Sequence, residues 1–101
     1  MVQDVEIPSE IYGNDETMPL LMIVEDNADL LEYLKNKLSD EYRILTSQSA
    51  EKARNLLKKY TIDIILTDIS LQGMSGIELC AEVTSNFETS HIPVIILSAI
   101  S

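Results

Sequence analysis

The chain has 101 residues, of which 46% are hydrophobic, with seven basic and seventeen acidic side chains for a formal charge of −10. That length points to one domain with a small core, and that charge argues against nucleic-acid binding by this segment, because phosphate contacts need clustered Lys and Arg. One cysteine excludes an internal disulfide framework, no apolar run approaches the ~20 residues that span a bilayer, and no basic n-region with an apolar h-region starts the chain.

Residues 1–18, "MVQDVEIPSEIYGNDETM", carry Asp4, Glu6, Glu10, Asp15 and Glu16, no base, and both Pro8 and Gly13. They read as an acidic linker or tail, with Val5, Ile7, Ile11 and Tyr12 as candidates for docking on a partner surface. From residue 19 the pattern becomes regular. "PLLMIV" (Pro19–Val24) is a continuous apolar run, as expected of a strand buried on both faces. "LLEYLKNKL" places Leu30, Leu31, Leu34 and Leu38 on one helical face, with Asn27 as N-cap. "YRILT" (Tyr42–Thr46) is a second short strand.

A second helix follows, with Ala50, Ala53, Leu56, Leu57 and Tyr60 as its apolar stripe and Lys52, Arg54, Lys58 and Lys59 mostly on the wet side. "IDIILT" (Ile62–Thr67) is the third strand. In "SGIE", Ser75 and Glu78 form a capping-box pattern, and Ile77, Cys80, Val83 and Phe87, with Ala81 at the margin, are expected as the buried stripe of the third helix. "PVIIL" (Pro93–Leu97) is the fourth strand, with Pro93 at its start, where a missing N–H is tolerated. This β-α-β-α-β-α-β order implies a doubly wound α/β fold: a parallel sheet with right-handed crossovers and helices on both faces.

Sites in open α/β sheets form outside the carboxyl ends of the strands. Glu25 and Asp26 follow the first strand, Thr46 and Ser47 close the second, Asp68 follows the third and Ser98 the fourth. If the first and third strands are neighbours, three carboxylates share one small volume. Such carboxylates repel and raise one another's pKa. A divalent cation removes the conflict, and hard oxygen ligands favour Mg²⁺, with Mn²⁺ or Ca²⁺ as alternatives. Mg²⁺ takes one or two carboxylates and leaves room for a phosphoryl oxygen.

"LLMIVEDNADLLEYL", "DIILTDISLQGMSGIEL" and "HIPVIILSA" together resemble the receiver domain of bacterial two-component response regulators, most of all the receivers embedded in hybrid histidine kinases. The resemblance covers residues 19–101, so that the chain divides into an acidic segment 1–18 and a receiver 19–101. It implies a flavodoxin-like topology with strand order 2-1-3-4. It also implies roles by position: Asp68 as phosphoacceptor, Glu25 and Asp26 as the acidic pair that holds Mg²⁺ together with Asp68, and Ser70 as the donor of a backbone carbonyl to the metal. Ser98 matches the switch hydroxyl, and Ala99 the small residue that leaves the phosphoryl group access. The implied function is to accept a phosphoryl group from a phosphohistidine in a two-component phosphorelay, with a histidine kinase or phosphotransfer domain as donor.

This sequence departs from the receiver pattern in places. Gln72 stands where a proline is usual, which leaves the loop less fixed in φ, and Ser75 stands where an aspartate is common. The fifth strand, its lysine and the last two helices have no counterpart, so the receiver is expected to be truncated at its C-terminus and the fourth strand to be an open edge able to self-associate.

Two other classes compete with this reading. A haloacid-dehalogenase-like phosphatase also uses a strand-end Asp with Mg²⁺, but needs a second Asp where Ser70 stands. A pseudo-receiver would act only as a protein-interaction module; Glu25, Asp26, Asp68 and Ser98 argue against it. His91 reads as a loop residue and Cys80 as packing. The segment is expected to be a phosphoacceptor and not an enzyme, to touch neither membrane nor nucleic acid, and to lie in the cytoplasm, including as the cytoplasmic part of a membrane-anchored hybrid kinase.

Overall fold

A computed structural model of the chain describes residues 11–98. Seven elements follow in order: β1 (Leu20–Val24), α1 (Ala28–Leu38), β2 (Arg43–Ser47), α2 (Ala50–Lys59), β3 (Ile64–Asp68), α3 (Gly76–Ser85) and β4 (Val94–Leu97). The four strands form one sheet in the order β2-β1-β3-β4, and the three pairings between them are parallel. The expected doubly wound α/β architecture and strand order are both present.

The apolar run of β1 is explained by its two faces. Side chains alternate across a strand. Leu20, Met22 and Val24 enter one core, with Ala50, Ala53 and Leu56 of α2 and Leu79 and Val83 of α3. Leu21 and Ile23 enter the other, with Leu31 of α1, Ile44 and Leu66. Helices cover both faces, so no position of β1 can be polar, and all five residues are buried.

β4 differs. Its residues alternate between half-buried and exposed, and Ile95 and Leu97 face outward. Ile95 pairs with Leu66, a residue of the α1-side core, so the uncovered face of β4 is the one that α1 does not reach.

Each helix starts on a side-chain cap. The Asn27 side chain accepts the Leu30 N–H at 2.9 Å and Ser49 accepts the Lys52 N–H at 3.0 Å. Ser75 accepts the Glu78 N–H at 3.1 Å while the Glu78 carboxylate accepts the Ser75 N–H at 2.9 Å, closing the expected capping box.

Two helix faces differ from the sequence reading. Leu30 is 42% exposed, while Leu31 is buried and Leu34 and Leu38 are partly so. One residue is about 100° of rotation, which carries Leu30 off the edge of the stripe. The third helix is turned further. Its buried residues are Gly76, Leu79 and Val83; Cys80 is half-buried, Ala81 and Ile77 are exposed, and Phe87 lies beyond the helix at 92% exposure. The cause is Gly76. A Cβ there would overlap the carbonyl oxygen of Asp68, so the helix rests its glycine on β3, and positions three and seven residues on face the core with it.

The acidic segment before β1 is packed where it is described. Tyr12 pairs antiparallel with Ile44 on the outer edge of β2, its N–H donating at 2.7 Å and its carbonyl accepting at 2.9 Å. The Lys35 ammonium lies 4.8 Å from the centre of the Tyr12 ring, and Ile11 packs on the core shared with α2 and α3. The Arg43 side chain donates to the Met18 carbonyl at 3.1 Å. Val5 and Ile7 lie outside the described residues.

Candidate metal and phosphoryl-acceptor site

The parallel register fixes what meets at the carboxyl end of the sheet. Val24 of β1 pairs with Thr67 of β3, so Glu25 and Asp68, the next residue of each strand, stand side by side. One carboxylate oxygen each from Glu25, Asp26 and Asp68 lies within 4.8 Å of the others. The adjacent acids Glu25 and Asp26 are thus brought to Asp68, 43 residues beyond Glu25, by one strand pairing, as the sequence reading expects on the condition that these strands adjoin.

Glu25 is the most enclosed, at 3% exposure. Its backbone N–H continues the sheet by donating to the Ser47 carbonyl at 2.9 Å, and its carboxylate accepts the Asn27 N–H at 3.0 Å. Burial pushes its carboxyl above the ordinary range, and the charges of Asp68 and Asp26 add to the rise; the Asn27 N–H opposes it. This side chain is held in place by its backbone and by a neighbouring amide, but it is electrostatically unsatisfied.

Asp68 sits on β3 opposite Leu97 of β4, and the Ile69 N–H donates to the Leu97 carbonyl at 2.8 Å. Ser98 is the next residue, exposed at the same end of the sheet, and Ser70 is exposed two residues past Asp68. Ala99 lies outside the described residues. Thr46 lies within β2, paired with Ile23, and the hydroxyl of Ser47 is buried and donates to the Ser49 carbonyl at 2.7 Å. The ion pairs Lys35–Glu32 and Arg54–Glu82 lie elsewhere on the surface.

The donor set suits a hard divalent cation. All three groups offer carboxylate oxygens within 4.8 Å of one another, and a positive charge among them would offset the unfavourable field at Glu25.

Two features of this region escape a reading by motif. Gly76 brings α3 against the Asp68 carbonyl, and Glu51 of α2 reaches the loop after Asp68, its carboxylate accepting the Met74 N–H at 3.0 Å. The pair "GMSG", with two glycines bracketing a cap, was the available signal for the first. A first-turn glutamate carries no signal for the second.

Comparison with known proteins gives the same fold and the same family. Over 79 residues the chain is 35% identical to Histidine kinase P4 of Formosa agariphila, covering 78% of this chain and 6% of that protein. It is 35% identical over 91 residues to the sensor histidine kinase TmoS of Ectopseudomonas mendocina, 90% of this chain and 9% of that protein. The chain therefore spans less than a tenth of either kinase.

Among solved structures, the signal receiver domain of a histidine kinase from Syntrophus aciditrophicus superposes with a TM-score of 0.78 at 28% identity, over 82% of this chain and 64% of that one. The response regulator TrrA of Thermotoga maritima, in complex with Mg²⁺-BeF, superposes with a TM-score of 0.77 at 29% identity, over 83% of this chain and 72% of that one. The model of the response regulator receiver domain matches residues 21–101, the span that holds every strand but the first residue of β1 and the whole acidic cluster. With the sheet order, the strand-end carboxylates and these matches in agreement, the chain belongs to the response regulator receiver domain family of two-component signalling.

Proposed function

We propose that this receiver accepts a phosphoryl group from a phosphohistidine onto Asp68, in a site where Glu25, Asp26, Asp68 and the Ser70 backbone carbonyl hold Mg²⁺, with Mn²⁺ as an alternative. The observation that carries this reading is the convergence of three carboxylates within 4.8 Å at the ends of β1 and β3.

The transfer is a substitution at phosphorus. An Asp68 carboxylate oxygen forms the new O–P bond, the P–N bond to the donor imidazole breaks, and its electron pair returns to the ring nitrogen. The product is an acyl phosphate. Little covalent help is required beyond in-line placement and charge neutralisation. When bound, the cation supplies that neutralisation to the phosphoryl oxygens. The remaining work falls to the chain itself. β3 presents Asp68 at the sheet's open end, the Asn27 N–H fixes Glu25, and the Ser98 hydroxyl, beside the end of β4, donates to a phosphoryl oxygen and reports the added charge.

The donor is a histidine kinase or phosphotransfer domain, and the kinase relatives support a hybrid histidine kinase as the parent polypeptide, with this receiver in its cytoplasmic part. The segment itself is a phosphoacceptor with no turnover of its own. Residues 1–18 serve as the acidic lead-in to a receiver at 19–101. The uncovered Ile95 and Leu97 of β4 support self-association along that edge, which sedimentation at high micromolar concentration would detect and a monomer throughout would contradict. The phosphoacceptor reading is tested by treating the receiver in its native polypeptide with a small-molecule phosphodonor and Mg²⁺ and measuring intact mass. A single phosphoryl adduct, lost with chelator and in Asp68→Asn, is expected; an unchanged mass in the wild type would overturn it.

A further inference from the structure

The loop from Ile69 to Ser75 joins the acceptor strand to α3 and carries Ser70. Gln72 leaves it without the fixed φ of a proline. Three consecutive amides at its end are nonetheless each committed to a different part of the molecule. The Gly76 N–H donates to the Ile69 carbonyl at 3.2 Å, which closes the loop on itself. The Ser75 N–H donates to Glu78 at 2.9 Å, which starts α3. The Met74 N–H donates at 3.0 Å to the Glu51 carboxylate, which belongs to α2, 23 residues earlier. Only the last ties the loop to another helix.

The local backbone is shaped for that contact. Gly73 has φ +78°, and a Cβ on it would come within 2.7 Å of Glu51 Oε2. A side chain at residue 73 would therefore push the carboxylate away as well as strain the turn. Gly76 completes the path: α3 leans directly on the Asp68 carbonyl and on the Ile69 Cα. A shift of Met74 moves Ser75 and Gly76, and Gly76 bears on the acceptor residue. The Met74 N–H is also the largest influence holding the Glu51 carboxyl below its ordinary range, with its own backbone N–H adding, so the group is ionised and the bond charge-assisted.

We infer that Glu51 is a positioning residue for the phosphoryl-acceptor site: by gripping the Met74 amide it fixes the loop that offers the Ser70 carbonyl, and so sets the affinity for Mg²⁺. It takes over from α2 the restraint that Gln72 does not provide. The inference rests on the proposed Mg²⁺ site, and its test separates the two.

The test uses Glu51→Ala, Glu51→Gln and Gly73→Ala, with amide hydrogen exchange at Met74 and the Mg²⁺ dissociation constant by calorimetry. Glu51→Ala and Gly73→Ala should speed Met74 exchange and weaken Mg²⁺ binding by about fivefold, the scale of one lost hydrogen bond. Glu51→Gln keeps an acceptor oxygen without the charge and should restore part of both. Faster Met74 exchange with unchanged Mg²⁺ affinity would overturn the positioning role, as would equal loss in Glu51→Ala and Glu51→Gln. No change in exchange would overturn the grip itself. A wild type that binds no Mg²⁺ would instead overturn the metal site, with Met74 exchange still reporting whether the grip exists.

Discussion

Gly76 lies flat against the carbonyl of Asp68, so close that residue 76 has no room for a Cβ. This contact sets the rotation of α3 and joins the helix to the strand end that carries the acceptor carboxylate. Because the obstacle is backbone on both sides, neither partner can swing away. Gly76→Ala should destabilise the fold by about 2 kcal/mol or more, the cost of overpacking a rigid site. Urea unfolding would measure it, and a variant as stable as the wild type would contradict the contact.

The same rotation makes a pair of neighbouring residues on α3 unequal. Leu79 is fully buried, while Ile77, expected from its spacing to face the core, is half exposed. Leu79→Ala should cost roughly 3 kcal/mol, and Ile77→Ala about 0.5 kcal/mol or less. Equal losses in chemical denaturation would return the helix to the orientation that periodicity alone suggests.

Glu25 is buried beside two other acids, so its charge works against the fold when no cation is present. Glu25→Gln keeps an oxygen for the Asn27 N–H and removes the charge. In chelator the variant should be more stable than the wild type by about 1 kcal/mol. Added Mg²⁺ should raise the melting temperature of the wild type and leave the variant nearly unmoved. A wild type insensitive to Mg²⁺ would contradict the arrangement.

Glu51 gives a pH dependence of the opposite kind. Its carboxyl lies below the ordinary value of 4.5 in the folded chain, because the ionised form accepts the Met74 N–H. A lowered carboxyl binds fewer protons folded than unfolded, so its stabilising contribution is complete above about pH 4.5 and is lost as pH falls through the folded value. Protection of the Met74 amide, corrected for intrinsic exchange, should decline in that acid range in the wild type. Glu51→Gln, which has no proton to gain, should lack that decline.

Much of this architecture was legible because two of its signals are local. The unbroken apolar run of Pro19–Val24 marked β1 as a strand covered on both faces, Ile62, Ile64, Ile65 and Leu66 leading to Asp68 marked β3, and Asn27, Ser75 and Glu78 announced the helix starts by their own chemistry. The acidic site was legible one step later, since strand-end acids converge once β1 and β3 adjoin. What escaped depends on contacts between distant residues. Hydrophobic spacing selected Ile77 and Phe87, but a glycine with no side chain decides which face of α3 turns inward. The packing of Tyr12 on β2 lies within a stretch whose composition resembles a linker, and its two hydrogen bonds are made by backbone atoms that composition does not describe. Glu51 reads as an ordinary solvated glutamate until the fold brings Met74 to it.

The most direct test of Asp68 as acceptor is to trap the acyl phosphate chemically. After phosphodonor and Mg²⁺, borohydride reduces an aspartyl phosphate to homoserine, and peptide mass spectrometry reports the residue that changed. Homoserine at position 68, dependent on donor and metal, is the predicted result. A phosphoryl adduct that leaves residue 68 unreduced, or that persists in Asp68→Asn, would contradict it.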